Sequence, residues 1–202
     1  MTDYKQFTAD LTKATKLALS DLASQRPNET VMIFGYETDD DVVVITPVAN
    51  TIEEHRRMIE NRFYAEGGQV DSMMIQDWPL YGVGRRHFDQ VGAIVNQYVH
   101  QPLPRGSSET DEDRKVNFLK SFGRALQNSR GDHKDLFLTI FNPDSTLESL
   151  ALYYCITRLV NPPGPMRRLY EEYVEETLEA NGTTLESALA ELNSNGMLIS
   201  AL

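Results

Sequence analysis

The residues richest in chemistry lie in the stretch DWPLYGVGRRHFDQ, residues 77–90. Its two glycines, Gly82 and Gly84, invite comparison with loops that bind phosphate through backbone N–H groups. A dinucleotide-binding loop needs a third glycine three residues later, where this chain has His87. A Walker loop needs Gly-Lys before Ser or Thr, and the sequence lacks that motif. The spacing therefore favours a structural turn that leads into a helix near Arg85.

Two chemistries are open to the side chains of Arg85, Arg86 and His87. They could bind an anion where a helix begins, because free backbone N–H groups point outward there. Alternatively, they form ion pairs with the protein's own carboxylates. The excess of Asp and Glu over Lys and Arg, 30 against 19, favours the ion pairs.

Metal and nucleophile chemistry find little support in the sequence. His55, His87, His100 and His133 are not at metal-ligand spacing with one another or with Cys155. Cys155 lies in an apolar run, which predicts a buried thiol of raised pKa and low reactivity. No Gly-x-Ser-x-Gly motif occurs, although a triad assembled only in space stays open. We therefore predict no metal site and no cofactor, and we assign no catalytic residue.

Acidic side chains cluster at three places in the chain. On the helix predicted at 166–180, glutamates stand in like-charged pairs four residues apart, which destabilises an isolated helix slightly. A solvated acidic face is the default interpretation of such runs. The alternative is a docking surface for a basic partner, formed if the clusters fold to one side. The residues of this candidate surface are Asp39, Asp40, Asp41, Asp111, Glu112, Asp113, Glu171, Glu172, Glu175 and Glu176.

Hydrophobic patterning places these residues on an α+β framework. β-Branched runs at 31–38 and 42–48 predict a hairpin over 31–48, with the acids of Asp39–Asp41 in its turn. Helical spacing elsewhere predicts about seven helices that cover a small, mostly antiparallel sheet. Further strands are predicted at 70–78 and 135–141, and helices at 3–24, between Thr51 and Gly67, at 85–100, from Thr110 to beyond Leu126, at 147–160, at 166–180 and after Thr183.

Capping signals mark where several helices begin. Asp3, Thr51 and Thr110 each precede a Gln, Glu or Asp at capping-box spacing, and Ser145 and Thr183 do the same. The segment 147–160 is apolar around much of its circumference, which is typical of a central buried helix. We predict one domain over residues 1–202, in which 164–202 could form a C-terminal helical extension.

Composition limits the compartment and the partners. The net charge of −11 disfavours a nucleic-acid partner, because phosphate neutralisation needs clustered Lys and Arg. One cysteine fits a reducing compartment. The first residues carry no apolar signal core, and no stretch is long and apolar enough for a membrane span. We therefore expect a cytoplasmic protein that binds neither nucleic acid nor membranes; its oligomeric state is not predicted.

Taken together, the strand VMIFGYETDDD, the passage VVVITPVANTIEE and the stretch DWPLYGVGRRHFD resemble a bacterial family known as domain of unknown function 4303. The similarity covers most of the first 150 residues. This resemblance implies no established activity. Small cytoplasmic bacterial domains of this kind often occur beside secreted toxins, and some serve as immunity proteins. The residues that carry the resemblance are Tyr36, Asp39, Pro47, Ala49, Asn50, Thr51, Trp78, Tyr81 and Phe88.

Two functional hypotheses follow. The first, which we favour, is a protein-binding module, such as an immunity protein that neutralises a basic toxin domain. The second is a small-molecule binder or enzyme with one deep, partly apolar pocket. Trp78, Tyr81 and Phe88 have a second interpretation as aromatic anchors of a loop. The signature and pocket residues are Tyr36, Asn50, Thr51, Trp78, Tyr81, Arg85, Phe88 and Asp89.

Overall fold

A computed structural model describes residues 3–42, 44–66, 80–100, 102, 106–142 and 145–202, and the side chains at 61–66 and 98–100 lie outside the description. The strand predicted at 70–78, with Trp78, also lies outside the described residues. The elements are α1 Tyr4–Gln25, β1 Val31–Glu37, β2 Thr46–Thr51, α2 Ile52–Glu66, β3 Leu80–Tyr81, a 3-10 turn Arg85–His87, α3 Asp89–His100, α4 Asp111–Ser129, β4 Phe137–Phe141, α5 Leu147–Val160, α6 Pro165–Ala180 and α7 Leu185–Ser194.

The predicted α+β class is confirmed, and the described strands form one four-stranded sheet in the order β3-β2-β1-β4. β1 pairs antiparallel with β2, and β2 pairs antiparallel with β3. β4 pairs parallel with β1, so the sheet is mixed rather than purely antiparallel. A parallel neighbour needs a long crossover, which the chain between β1 and β4 provides.

The hairpin predicted over 31–48 has the correct first strand, but its second strand was placed too early. β2 begins at Thr46 and continues to Thr51. Val42 instead lies in the loop with a φ of 61°, and its side chain is fully buried. Val42 and Ile45 therefore pack into the core from a loop, and the sequence pattern does not separate such a segment from a strand.

Smaller corrections concern helix starts and faces. The caps are Thr146 and Thr184, each one residue after the predicted Ser145 and Thr183. On α6, Leu169 is 45% exposed although it is apolar, and its neighbour Tyr170 is buried. Leu80 and Tyr81, expected in a loop, form β3.

Two residues of the family signature, Tyr36 and Phe88, belong to the aromatic core. The Tyr36 ring lies 5.9 Å from Phe88 and 5.7 Å from Phe122, edge to face in both cases. The Tyr36 hydroxyl forms a short hydrogen bond with the buried Thr15 hydroxyl on α1. Burial raises the pKa of Tyr36. These contacts give Tyr36 a packing role between the sheet, α1 and α4.

One polar network ties the end of α1 to the start of α2. Glu29 accepts hydrogen bonds from Arg57 at 2.8 Å, from Thr51 at 2.8 Å and from Arg26 at 3.0 Å. The Thr51 hydroxyl also accepts the backbone N–H of Glu54 at 3.1 Å, which confirms Thr51 as a capping residue. The Arg57 and Thr51 bonds, with that of Arg26, lower the pKa of Glu29 to about 2.

We expect the Glu29→Gln variant to lose less stability than the wild type when the pH is lowered into the acid range. The pKa of Glu29 rises from about 2 in the folded chain to an ordinary 4.5 when unfolded, so the unfolded state takes up the proton in this window. The contribution of the Glu29 carboxylate to the free energy of unfolding is complete above pH 4.5 and is lost as the pH falls towards 2. Urea midpoints measured from about pH 6 to about pH 2.5 should converge for wild type and variant. Parallel curves, or the same convergence for the exposed control Glu60→Gln, would contradict this assignment.

At its β4 edge the sheet is held to the C-terminal end of α5 by Asn161. The Asn161 amide donates to the carbonyls of Leu138 at 2.6 Å and Thr157 at 2.8 Å. Its oxygen accepts the Leu138 N–H at 2.9 Å and an Arg130 N–H at 2.7 Å. Asn161 therefore pairs with both backbone groups of a buried strand residue, as a neighbouring strand would.

The helices after residue 164 pack against α5 and share the core of the rest of the chain. Tyr170, Val174 and Leu178 of α6 and Leu192 of α7 are buried in the same cluster as α1 and the sheet.

Among the described residues, none of the helices combines the length and the apolar character that a membrane crossing requires.

Candidate functional site

The acidic loop that follows β1 is fixed by contacts with the β4–α5 connection. The Asp40 carboxylate accepts the side-chain amide of Asn142 at 3.0 Å and the backbone N–H of Thr146 at 3.3 Å. The Tyr153 hydroxyl donates to the carbonyl of Asp39 at 3.2 Å. Asp40 therefore has a structural role at the start of α5, and Asp41 is the exposed member of the run.

A capping box sets the position of the second acidic run at the start of α4. The Thr110 hydroxyl accepts the Asp113 N–H at 3.0 Å, and the Asp113 carboxylate accepts the Thr110 N–H at 2.9 Å. These bonds to Thr110 lower the pKa of Asp113. Asp113 is thus engaged locally, and Asp111 and Glu112 are exposed in the first turn.

The two runs meet in a cleft of about 460 Å³. Asp41 comes from the loop after β1, Asp111 and Glu112 come from the first turn of α4, and Glu148 comes from the first turn of α5. The cleft is lined by Asp41, Asp111, Glu112, Arg114, Lys115, Phe118, Glu148 and Met197. The structure therefore brings together three residues of the predicted acidic surface, Asp41 from one run and Asp111 and Glu112 from another that is about 70 residues further along the chain.

Two cations inside the cleft offset part of its negative charge. Arg114 is only 8% exposed and lies 3.7 Å from the Asp111 carboxylate. Lys115 Nζ lies 3.3 Å from the hydroxyl of the buried Ser149 and 3.7 Å from Glu148. Among the described residues, the lining thus holds four carboxylates and two cations, which leaves an excess of negative charge in that set.

Such a lining is suited to a cationic group that approaches from solvent. Asp111, Glu112 and Glu148 also stand in first turns, where the helix dipole stabilises acids, so part of their role is local. Asp41 has no such position in a helix. Its place on the cleft wall is therefore the feature that helix stability does not explain.

The four α6 glutamates of the predicted acidic surface lie outside the lining of this cleft. Glu171 pairs with Arg167 at 2.9 Å and with Arg158 at 3.2 Å, so its charge is balanced locally. Glu172, Glu175 and Glu176 are exposed. The predicted acidic surface therefore divides into a cleft set and a separate α6 set.

The described residues of the second predicted site do not form one lining. Tyr36, Asn50, Thr51 and Phe88 are buried at 2% exposure or less, while Tyr81 is 58% exposed. The Asn50 oxygen accepts the N–H of Thr51 at 2.9 Å. Arg85 and Asp89 are exposed, and Trp78 lies outside the described residues.

Tyr81 and Asp89 have distinct surroundings. Partial loss of solvent contact, together with a hydrogen bond to Glu37, raises the pKa of Tyr81 on the edge strand β3. Asp89 lies at a second cleft of about 460 Å³ between α1 and α3. That cleft is lined by Asp10, Lys13, Ala14, Leu17, Arg86, His87, Asp89, Gln90, Val91 and Ile94.

Arg86 forms an ion pair of the kind that the sequence favoured, and His87 is hydrogen-bonded to the same carboxylate. Both contact one oxygen of Asp21 on α1, Arg86 at 2.6 Å and His87 at 2.8 Å. His87, followed by Arg86, lowers the pKa of Asp21. Asp21 is far from this turn in sequence, and no spacing pattern pointed to it. The contacts hold the 3-10 turn against α1.

Metal binding finds no geometric support in the part of the chain that the structure describes. There, no group of three or more His, Cys, Asp or Glu side chains is placed to hold a metal ion. Cys155 is 7% exposed, and burial raises its pKa to about 11. A thiol of this pKa is almost fully protonated at neutral pH and is a poor nucleophile.

Together, the mixed sheet and the cleft beside α4 and α5 define an α+β protein with an acidic cleft on its surface. The chain belongs to the family described as Domain of unknown function (DUF4303), whose sequence model matches residues 11–145. The resemblance expected from the sequence is therefore confirmed. The match includes the acidic loop and α4, and α5–α7 follow it. Comparison with curated proteins and with solved structures gave no match.

Proposed function

We propose that this protein is a binding module that recognises a basic segment of a partner protein through the cleft of Asp41, Asp111, Glu112 and Glu148. The observation that supports it is the convergence of three sequence-distant segments on one cleft with an excess of carboxylates. Asp41 matters most here, because its position serves no helix. Complementary charge across such a contact fixes orientation and excludes acidic competitors.

The charge of the whole chain supports the same partner chemistry. A net charge of −11 produces a field that attracts a basic protein and speeds its association at low salt. Two cations within the cleft, Arg114 and Lys115, restrict the orientations in which a basic segment can bind. A partner must place its positive charge beside the carboxylates and away from these two side chains.

A toxin domain is the partner we propose, with this chain as a bacterial, cytoplasmic immunity protein. Support comes from the family resemblance and from the acidic surface. Many toxins act on nucleic acids or membranes through basic surfaces, and an acidic cleft would mask such a surface. The partner is therefore sought as the product of the neighbouring gene.

Triple charge reversal of the cleft tests this proposal. We expect Asp41→Lys, Asp111→Lys and Glu112→Lys together to raise the Kd for the neighbouring gene's product by about 100-fold or more, since close charge pairs each contribute about 1 kcal/mol or more. Calorimetry at about 150 mM salt measures this effect, where long-range attraction is screened. Circular dichroism should show that the variant remains folded.

The matched control is Glu172→Lys, Glu175→Lys and Glu176→Lys on α6. It changes the net charge by the same amount on exposed residues outside the cleft. We expect it to change the Kd by less than about threefold at the same salt. Equal losses of affinity in the two variants would show that only the overall charge matters. A larger loss of affinity in the control would show that the docking surface lies on α6. Absence of binding by the wild-type protein would refute the proposal.

A further inference from the structure

The chain beyond α7 follows a defined path across the groove between α4 and α5. Residues 197–202 have no regular secondary structure, yet Met197 and Ile199 are buried at 4% and 2% exposure. Leu202 packs against Gly123 of α4, where an added Cβ would lie 2.8 Å from Leu202 Cδ2 and 3.0 Å from Ile156 Cγ2. Three apolar side chains thus anchor an irregular segment.

This segment touches two chemically distinct places. At one end Met197 lines the acidic cleft. Further along, the backbone of Ile199 hydrogen-bonds Cys155, which is 7% exposed on α5. The position of a single segment therefore determines both the shape of the cleft and the accessibility of the thiol.

We infer that residues 195–202 form a strap that detaches from the α4–α5 groove as a unit, without global unfolding, and that its docked state completes the wall of the acidic cleft. The second half of this inference rests on the proposed function. Segments anchored by few side chains and lacking ladder hydrogen bonds open at lower cost than core helices.

Coupling between the strap and the cleft follows by linkage. A basic ligand that contacts the docked form of the cleft binds that form in preference to the open one. Its binding must then favour the docked strap by the same factor by which docking favours binding. A partner at the cleft would therefore protect Cys155, although the thiol does not line the cleft.

Cys155 provides the measurement, because it is the only cysteine in the chain. Its modification by Ellman's reagent is followed in the intact protein at urea concentrations below the unfolding transition. We expect a rate that depends only weakly on urea, as for a small local opening, and that joins the steep dependence of global unfolding near the transition. If the modification rate instead depends on urea as steeply as global unfolding does at every urea concentration, the strap does not open separately and the inference is wrong.

Two variants test the anchor itself. Leu202→Ala, at a residue outside the cleft lining, should raise the modification rate about 5- to 10-fold, as expected for loss of a half-buried leucine. The control Ser200→Ala, at an exposed position in the same segment, should leave the rate within about twofold. Equal rates for the two variants would contradict anchoring by Leu202.

A deca-arginine peptide tests the coupling, with binding monitored by fluorescence anisotropy. We expect the bound peptide to slow modification of Cys155 in the wild type and not in the triple cleft variant. Binding without slowing would overturn the coupling. Failure of the peptide to bind would count against the proposed function. The urea dependence of the modification rate would then be the test of whether the strap opens locally.

Discussion

Replacing Asn161 with alanine is expected to lower the free energy of unfolding by about 3 to 4 kcal/mol, a severe loss for one surface-distant side chain. Asn161 is 5% exposed, and its amide uses both donor hydrogens and accepts two hydrogen bonds. Alanine would leave the N–H and carbonyl of Leu138 unpaired inside the protein. Unpaired buried backbone groups each cost about 1 to 3 kcal/mol.

Asn181→Ala is the matched control for this prediction. Asn181 ends α6 as Asn161 ends α5, and its amide donates at 2.8 Å to the carbonyl of Thr177, four residues earlier. It differs in being exposed, so water can replace the lost bond. We expect a loss of about 0.5 kcal/mol or less, measured by urea unfolding with an unchanged m-value. Similar losses for the two variants would show that pairing with β4 contributes little.

The Asn161 contacts illustrate which parts of the fold local sequence could not reveal. The helix end at 160 was predictable from the Asn-Pro-Pro segment that follows it. The pairing of the Asn161 side chain with β4, and the parallel pairing of β4 with β1, depend on contacts between distant segments. No period or cap within either segment carries that information.

Helix starts show the limit of local rules even where they apply. Asp3 and Thr110 are the caps that the capping-box spacing predicts, and each side chain accepts the backbone N–H of the residue three positions later. At Ser145-Thr146 and Thr183-Thr184 two hydroxyl residues stand side by side, and either can cap. In the pair Ser145-Thr146, the cap is Thr146. The Asp40 carboxylate, which is distant in sequence, accepts the backbone N–H of this same residue.

For the candidate site, the residue types can be read from the sequence, and their arrangement in space cannot. Acids at 39–41 and 111–113 were recognisable as runs, and a shared surface was one of two open interpretations. The structure brings Asp41 to Asp111 and Glu112, and adds Glu148 and Lys115 from helix turns that resemble ordinary solvated segments. The α6 glutamates, equally conspicuous in sequence, lie outside the cleft lining.

Gly84→Ala should lower the free energy of unfolding by about 3 kcal/mol, well beyond the effect of Gly82→Ala. Both glycines have left-handed backbones, with φ of 66° and 71°, which cost alanine about 1 kcal/mol. At Gly82 a Cβ would meet no atom within 4 Å. At Gly84 it would lie 2.6 Å from Ala18 Cβ and 2.8 Å from Ala18 Cα, so α1 itself must shift.

A double-mutant cycle with Ala18→Gly separates strain from contact. Removing the Ala18 Cβ relieves the closer contact, so the double variant should recover part of the loss that Gly84→Ala alone causes, after correction for about 1 kcal/mol of helix propensity. Urea unfolding supplies all four free energies. If Gly82→Ala and Gly84→Ala prove equally costly, the glycines serve only as turn formers. If they differ as expected, Gly84 is required because the turn that presents Arg86 and His87 to Asp21 packs directly on the α1 backbone, which accounts for the glycine pair without any phosphate ligand.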